Sequence, residues 1–410
     1  MRTSESSASL SSADLISSLL PTRSFVSVSL LETARSFAPR ICLVYEQIEA
    51  DGRLPPALVK SLAGAGFFRM LIPHVVGGLE TDILTMLEVF EEMAKVDGSV
   101  GWCTMIGATG GLVSAYLRED VAQAIYGSDP LVITGGALAP TGKAVAVDGG
   151  YRVSGRWQFN SGCQHCSWLM GTCLTFDGDT PRKGKNGEPV STMMIFPATE
   201  VDIIDTWSVS GLRGSGSHDI AVDNLFVPDG YHASLVSDRS YHEGPLYRFP
   251  VFGLLAASVA SVALGMARGA LNAFKELAPK KRLTTTRKRL AQREVVQMQV
   301  AQAEGLLRSG RAFLFNTVQE VWNDVLAQRA PSLEQRALLR LAATQAAIHA
   351  AQAIDLVYHA AGTSAIWAHS RLQRHFRDIH VVTQHAILSS PIYEMTGRVF
   401  LDQPTETAIL

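Results

Sequence analysis

Several common designs are missing from this chain of 410 residues. Cysteine is sparse: five residues, at 42, 103, 163, 166 and 173. An odd, scattered set argues against a disulfide-stapled fold and leads to the expectation of a reducing cytoplasm. Charge of neither sign dominates, since the formal net charge is −2 and the pI about 6.6. No global field invites nucleic acid or an anionic membrane. There is no GxGxxG after a predicted strand, no P-loop, no GxSxG elbow and no HExxH. A Rossmann dinucleotide enzyme, a P-loop NTPase and an α/β-hydrolase are therefore disfavoured. The opening MRTSESSASLSSADLISS has no continuous apolar stretch and carries Glu5 and Asp14. It does not read as a secretory leader, and residues 1–20 are expected to be a disordered tail. One uncharged run, FPVFGLLAASVASVALGMA at 249–267, is long enough to span a bilayer. It is rich in Ala, Ser and Gly and is followed by amphipathic segments, so the expectation is a buried bundle helix and no membrane.

What is present falls into three regions. Residues 21–130 read as a helical domain, with apolar positions at three and four spacing in 56–67 and 81–96; Thr81 and Asp82 are candidate N-caps for the second. Residues 131–240 switch to short β-branched and aromatic runs broken by Gly, Asp and Asn, with a hairpin signal at Asp148-Gly149-Gly150. They predict a mostly antiparallel β-domain, a small barrel or sandwich. Residues 241–410 return to helical periodicity, in segments 249–277, 292–329, 332–361 and 369–400, and predict a four-helix bundle.

Two neighbouring motifs compete for the chemistry. Cys163-Gln-His165-Cys166 resembles half a zinc site, but a structural zinc needs four ligands. A redox CxxC opens a helix, whereas this one lies between predicted strands, with Cys163 and His165 on one face and Cys166 on the other. Small buried groups are the simpler reading, with no metal. WQFNSG, at 157–162, ends a predicted strand in hydrogen-bonding groups. Strand alternation puts Trp157 and Phe159 on one face, where a planar ligand could stack while Ser161 and backbone amides meet its polar edge. Taken alone, the segment reads as an ordinary strand end with core aromatics.

Its company decides otherwise. LVITGGALAPTGKA (131–144), GRWQFNSG (155–162) and WSVSGLRGSGSHDIAVDNLFVPDG (207–230) follow in the order of the flavin-wrapping segments of the acyl-CoA dehydrogenase superfamily, which they resemble. VYHAAGTSAIWAHSRLQRHFRDIHVVTQH (357–385) is similar to that family's C-terminal signature. The resemblance spans about residues 25–405. It implies a mainly helical protein with a β-barrel middle domain, and a homotetramer whose subunits complete one another's cofactor sites.

The departures are informative. Acyl-CoA dehydrogenases need a carboxylate base. At the position about eight residues after Arg377-Asp378 stands Ala386, preceded by His385, and no Asp or Glu occurs between Glu243 and Glu276, where the other known base lies. The chain is thus similar to the oxygenase halves of two-component flavin-dependent monooxygenases. Such enzymes take reduced flavin (FMNH2 or FADH2) from an NAD(P)H-dependent reductase, form a C4a-hydroperoxide with O2, and oxygenate phenolic, polycyclic or related small molecules. The resemblance implies Ser161 as donor to flavin N5 or the peroxide, and His385, with His380 as second choice, as donor or base on the substrate side. It also implies cofactor contacts at Ala137, Pro140, Thr141, Trp157, Phe159, Asn160 and Ser161. Gly362 and Thr363 would meet a neighbour's cofactor. Lys281, Arg282 and Arg287 are candidates for the flavin phosphate. An acyl-CoA dehydrogenase with a displaced base and a non-catalytic ligand-binding relative are the alternatives. The pocket walls are expected near 102–108 and in YHEGPLYRFPVF (241–252), mostly apolar and aromatic.

Overall fold

The computed structural model describes residues 25–184, 187–282 and 288–410. The expected tail at 1–20 and the candidate Arg287 lie outside the described residues. Seven helices come first: α1 (Phe25–Ser36), α2 (Ala38–Leu43), α3 (Tyr45–Asp51), α4 (Pro56–Gly64), α5 (Ile83–Val96), α6 (Gly98–Gly111) and α7 (Glu119–Ala122). Asp82 caps α5 by accepting from the Thr85 amide at 3.0 Å, and Asp97 then caps α6 through Val100 N–H at 3.0 Å. Each carboxylate satisfies an amide that the first turn of a helix leaves without a partner. The two helices are thereby joined almost end to end, and Trp102 lies on the second turn of α6.

Eight strands follow: β1 (Thr134–Val147), β2 (Gly150–Asn160), β3 (Trp168–Asp177), β4 (Thr180–Pro181), β5 (Ser191–Pro197), β6 (Asp202–Ile204), β7 (His218–Pro228) and β8 (His232–Ala233). They form one sheet in the order β6-β7-β2-β1-β3-β5-β8, with β4 beside β3. The expectation of mostly antiparallel pairing holds for every pair but one: β1 and β3 run parallel. The sheet curls, so that Trp157 of β2 meets Phe196 of β5 with ring centroids 5.9 Å apart. Trp157 is the centre of this second core and is fully buried. Gly142, Gly155 and Gly171 surround it so closely that a Cβ at any of them would lie within 2.7 Å of the indole.

The C-terminal region holds α8 (Pro245–Arg248), α9 (Val251–Leu277), α10 (Glu294–Leu326), α11 (Leu333–Ala361), α12 (Arg371–Val382) and α13 (Pro391–Phe400). The uncharged run starts two residues before α9 and forms its N-terminal part. That helix is long and apolar enough to cross a membrane, but 78% of its most apolar window is buried inside the protein, against α5, α6, α11 and α12. Alanines on α11, among them Ala342, Ala343, Ala346 and Ala350, are fully buried and permit close approach of the helices. The fourth predicted helix is two. It stops at Val382 and restarts at Pro391, whose ring cannot continue a helix from residues before it. The break creates a short 3₁₀ turn, Ala386–Leu388, with His385 at its N-cap.

Candidate active site

The end of β2 departs from strand alternation. Trp157 pairs with Ile220 and Asn160 with His218, so three steps on β2 oppose two on β7. The extra residue is a bulge, and Phe159 occupies it at φ +63°. A left-handed backbone at an aromatic residue costs about 1–2 kcal/mol. Its effect is to turn Phe159 outward, 68% exposed, edge-on to Trp207 at 6.3 Å. Trp157 and Phe159 therefore do not share a face, as alternation predicted. Trp157 is a core residue, its Nε1–H donating to Thr172 O at 2.7 Å, and it cannot stack on a ligand. Asn160 is also buried; it donates to Trp157 O at 2.7 Å, and its Oδ1 has no partner.

A second irregularity lies alongside. Ala137 pairs with Gly171 and Gly142 with Cys173, so β1 spends five steps where β3 spends two. The surplus pushes Leu138, Ala139, Pro140 and Thr141 to the exposed surface, Thr141 being fastened by its hydroxyl to Arg156 O at 2.9 Å. Ala137 itself is half-buried, its carbonyl accepting from Thr172 Oγ1.

Ser161 sits just beyond the bulge and is buried. Trp102 Nε1–H donates to its Oγ at 2.8 Å, Ser217 Oγ lies 2.7 Å from it, and Ser215 Oγ lies 2.7 Å from Ser217. Three hydroxyls and an indole thus form one chain. His385 is packed edge-on against Trp102, with centroids 5.6 Å apart. Burial holds its pKa below the ordinary 6.5. Its Nδ1 accepts from Ile387 N–H at 3.3 Å, so the neutral ring carries its hydrogen on Nε2. The helical domain supplies Trp102, the β-domain the three serines and the bundle His385.

His380 belongs elsewhere. It is exposed, bonded to Asp355 at 2.9 Å and edge-on to Phe376. Gly362 and Thr363 are exposed at the C-terminal end of α11, and Arg282 is exposed in a bridge to Arg289. No hydrogen bond, ion pair or ring contact joins these residues to Ser161, Trp102 or His385 among the described residues. Of the 241–252 segment, Tyr247 and Phe249 are buried, Phe249 against Trp322 and Tyr247 bonded to Leu71 O, so they are core and not pocket wall. Cys163-Gln-His165 is a 3₁₀ turn and not a strand. Burial pushes the Cys163 thiol up to about 11, and Cys166 is raised further. Ser215 and Ser217 were not foreseen; the only sequence signal was a Ser-Gly-Ser step inside GLRGSGSHD.

The loop carrying them is fixed by the Arg377-Asp378 pair. Asp378 Oδ1 accepts from Leu212 N–H at 2.6 Å, and Leu212 is held at φ +51°. Arg377 bonds Glu49 at 2.7 Å and Ser210 O.

Residues 27–123 match the acyl-CoA dehydrogenase N-terminal domain and residues 257–390 its C-terminal domain. The chain is 31% identical over 342 residues to the indole-3-acetate monooxygenase of Acinetobacter baumannii, covering 83% of this chain and 86% of that protein. It is 30% identical over 367 residues to the flavin-dependent monooxygenase oxygenase subunit HsaA of Mycobacterium tuberculosis, covering 87% and 91%. The crystal structure of HsaA from that organism superposes with a TM-score of 0.83 at 28% identity, over 93% of this chain and 99% of the other. The chain belongs to the flavin-dependent monooxygenases built on the acyl-CoA dehydrogenase fold. The expected architecture is confirmed with it. As an oxygenase of this family the protein requires a flavin, and the residues present fit one. Leu138 and Phe159 are exposed apolar side chains at the two bulges, Ser161 offers a hydroxyl, and Asn160 Oδ1 is a buried acceptor in want of a donor. An isoalloxazine presents such a combination of apolar face and polar edge.

Proposed function

We propose that this oxygenase receives reduced FMN or FAD from a separate NAD(P)H-dependent reductase and inserts one oxygen atom into an aromatic or polycyclic small molecule. The observation that carries the reading is the Trp102–Ser161–His385 cluster, where hydroxyl, indole and imidazole donors converge. At both sequence positions where the parent dehydrogenases keep a base, a carboxylate is missing. The bound flavin supplies two electrons and the place where O2 is activated. Leu138, Ala139, Pro140, Thr141 and Phe159 line its ring and shed water. Ser161 donates a hydrogen bond at the ring edge, fixed by Trp102. His385 donates through Nε2–H to oxygen or substrate. Because burial lowers its pKa, it is neutral at pH 7 and does not carry a charge into the apolar pocket. Donors held in place against developing negative charge retain the activated oxygen and keep it from leaving as H2O2.

The relatives named for indole-3-acetate and for resorcinol favour an aromatic substrate. A homotetramer in the cytoplasm, with Gly362, Thr363 and Arg282 approaching a neighbour's flavin, completes the proposal; their exposure in the single chain is compatible with that use. The test is reconstitution with a flavin reductase, NAD(P)H and a panel of indolic, phenolic and polycyclic compounds. A hydroxylated product is expected, and Ser161→Ala should divert most reducing equivalents to H2O2. Turnover of an acyl-CoA with an artificial electron acceptor, without oxygen incorporation, would overturn the reading.

A further inference from the structure

The three serines do more than fill space, because hydrogen-bond counting gives their chain a direction. An indole N–H only donates, so Trp102 takes one lone pair of Ser161 Oγ. What remains on Ser161 is one lone pair and one hydrogen, to be divided between Ser217 and whatever binds at the ring edge. Ser217 stands between two hydroxyls at 2.7 Å each, and Ser215 has no further hydroxyl partner among the described residues. All three serines are buried, where a hydroxyl hydrogen without an acceptor is costly. Only one ordering gives each hydrogen an acceptor: Ser215 donates to Ser217, Ser217 donates to Ser161, and Ser161 donates outward to the ligand. In the reverse ordering the Ser215 hydrogen has no acceptor among the described residues.

We infer that Ser217, backed by Ser215, is a positioning residue that commits the Ser161 hydrogen to the flavin edge. Ser161 then has both lone pairs filled from behind and a single use for its proton. Chained hydroxyls also polarise one another, which strengthens the terminal bond. Ser217 itself does not touch the ligand. Its place is held by the β7 end of the loop that Asp378 fastens at Leu212, and by Gly162 N–H donating to Ser215 O at 2.8 Å. The inference rests on the assignment of Ser161 above and extends it by naming what orients it.

The experiment compares binding of oxidised FMN and FAD with their 5-deaza counterparts, in which N5, an acceptor, is replaced by C–H. Titration calorimetry on the full chain gives a dissociation-constant ratio for each pair. In the native protein the natural flavin should bind several-fold more tightly, in the range of roughly two- to tenfold that one net hydrogen bond supplies. Ser161→Ala should bring the ratio to about one. Ser217→Ala should lower it at least halfway toward one while leaving affinity for the deaza compound nearly unchanged, and Ser217→Thr should restore it. A purely structural effect of Ser217 would weaken both ligands equally and leave the ratio at its native value, which overturns the inference. A ratio that rises in Ser217→Ala also overturns it, since it means Ser161 had been donating to Ser217. If Ser161→Ala leaves the ratio native, the Ser161 assignment itself is wrong and the inference falls with it. Thermal melts of each variant, within a few degrees of native, accompany the titrations.

Discussion

Asp378→Asn offers a quantitative check on how the site's loop is held. Asp378 is enclosed by the bundle, α6 and the 205–217 loop, and burial, followed by repulsion from Asp97, raises its pKa from 3.8 to about 8. Glu49 adds to the rise, while the Leu212 hydrogen bond and Arg377 oppose it. Asp97, also raised by burial, is offset by Arg374 at 3.1 Å and is the better place for a negative charge. Asp378 is thus a neutral acid at pH 7 whose Oδ2 has no partner. The sign follows from linkage. The unfolded chain releases this proton above pH 3.8 and the folded chain only near 8, so this group's contribution to stability is greatest in acid and is lost as pH rises through that window. The loss is about 1.4 kcal/mol per pH unit, hence about 3 kcal/mol between pH 5 and 7. With about 2.1 cal/mol/K of unfolding entropy per residue, that corresponds to about 3 °C for a chain of this length. Asparagine keeps an acceptor for Leu212 but cannot ionise. Its overall stability should be somewhat lower, yet its melting temperature should fall about 3 °C less than native between pH 5 and 7. Parallel melting profiles over that range would refute the assignment of a buried, protonated Asp378.

Three further outcomes are expected. His385→Ala should lower the fraction of flavin oxidation that yields product far more than it changes flavin affinity, while His380→Ala should alter neither; and since burial depresses the His385 pKa, coupling in the native enzyme should show no histidine limb between pH 6.5 and 8. Trp157→Ala should cost about 3–5 kcal/mol of stability in denaturant titration, whereas Phe159→Ala should cost under about 1 kcal/mol yet weaken flavin binding, a contrast that fails if Phe159 is a packing residue. Replacing Cys163 and Cys166 together by serine should leave product yield within about twofold, because hydroxyls donate as thiols do; inactivation by a chelator would restore a metal to that motif.

The order of the domains was legible because the hydrophobic period changes from helical to alternating and back at recognisable breaks. The site was legible only in part. Ser161 was singled out through neighbouring segments, not through any property of a single serine. The Trp157–Phe159 pairing failed because alternation presumes one residue per step, and the bulge inserts an extra one that only the partner strand reveals. The two histidines could have been separated on paper. On a continuous helix, residues five apart point about 140° away from each other, so His380 and His385 could not both face one ligand. Pro391 hinted at the break that frees His385 from the helix, but a proline marks where a helix begins more clearly than where the last one ended. Trp102 was recognised as wall and not as donor, since its partner lies 59 positions away in the chain.

The cysteines find their place in the same account. Cys103, Cys163 and Cys166, whose thiols burial keeps protonated, are weak donors, and each reaches a backbone carbonyl of the two turns that carry the serines. Cys103 Sγ lies 3.8 Å from Ser215 O, Cys163 Sγ 3.6 Å from Gly216 O and Cys166 Sγ 3.4 Å from Gly162 O. None of these contacts is strong alone. With the Gly162–Ser215 backbone bond, the Cys163 contact ties the end of β2 to the start of β7; the Cys103 contact ties the same loop to α6, and the Cys166 contact closes the 162–166 turn on itself. Asp378 ties the same loop to the bundle, and Glu49 ties it, through Arg377, to the helical domain. A donor that must stay aimed at one atom needs its supports from more than one direction, because a single tether leaves a hinge. The convergence of all three domains on the Ser161 turn provides this. On the proposed reading, the hydroxyls and imidazole beside the CQHC motif carry the chemistry and the sulfurs hold them in place.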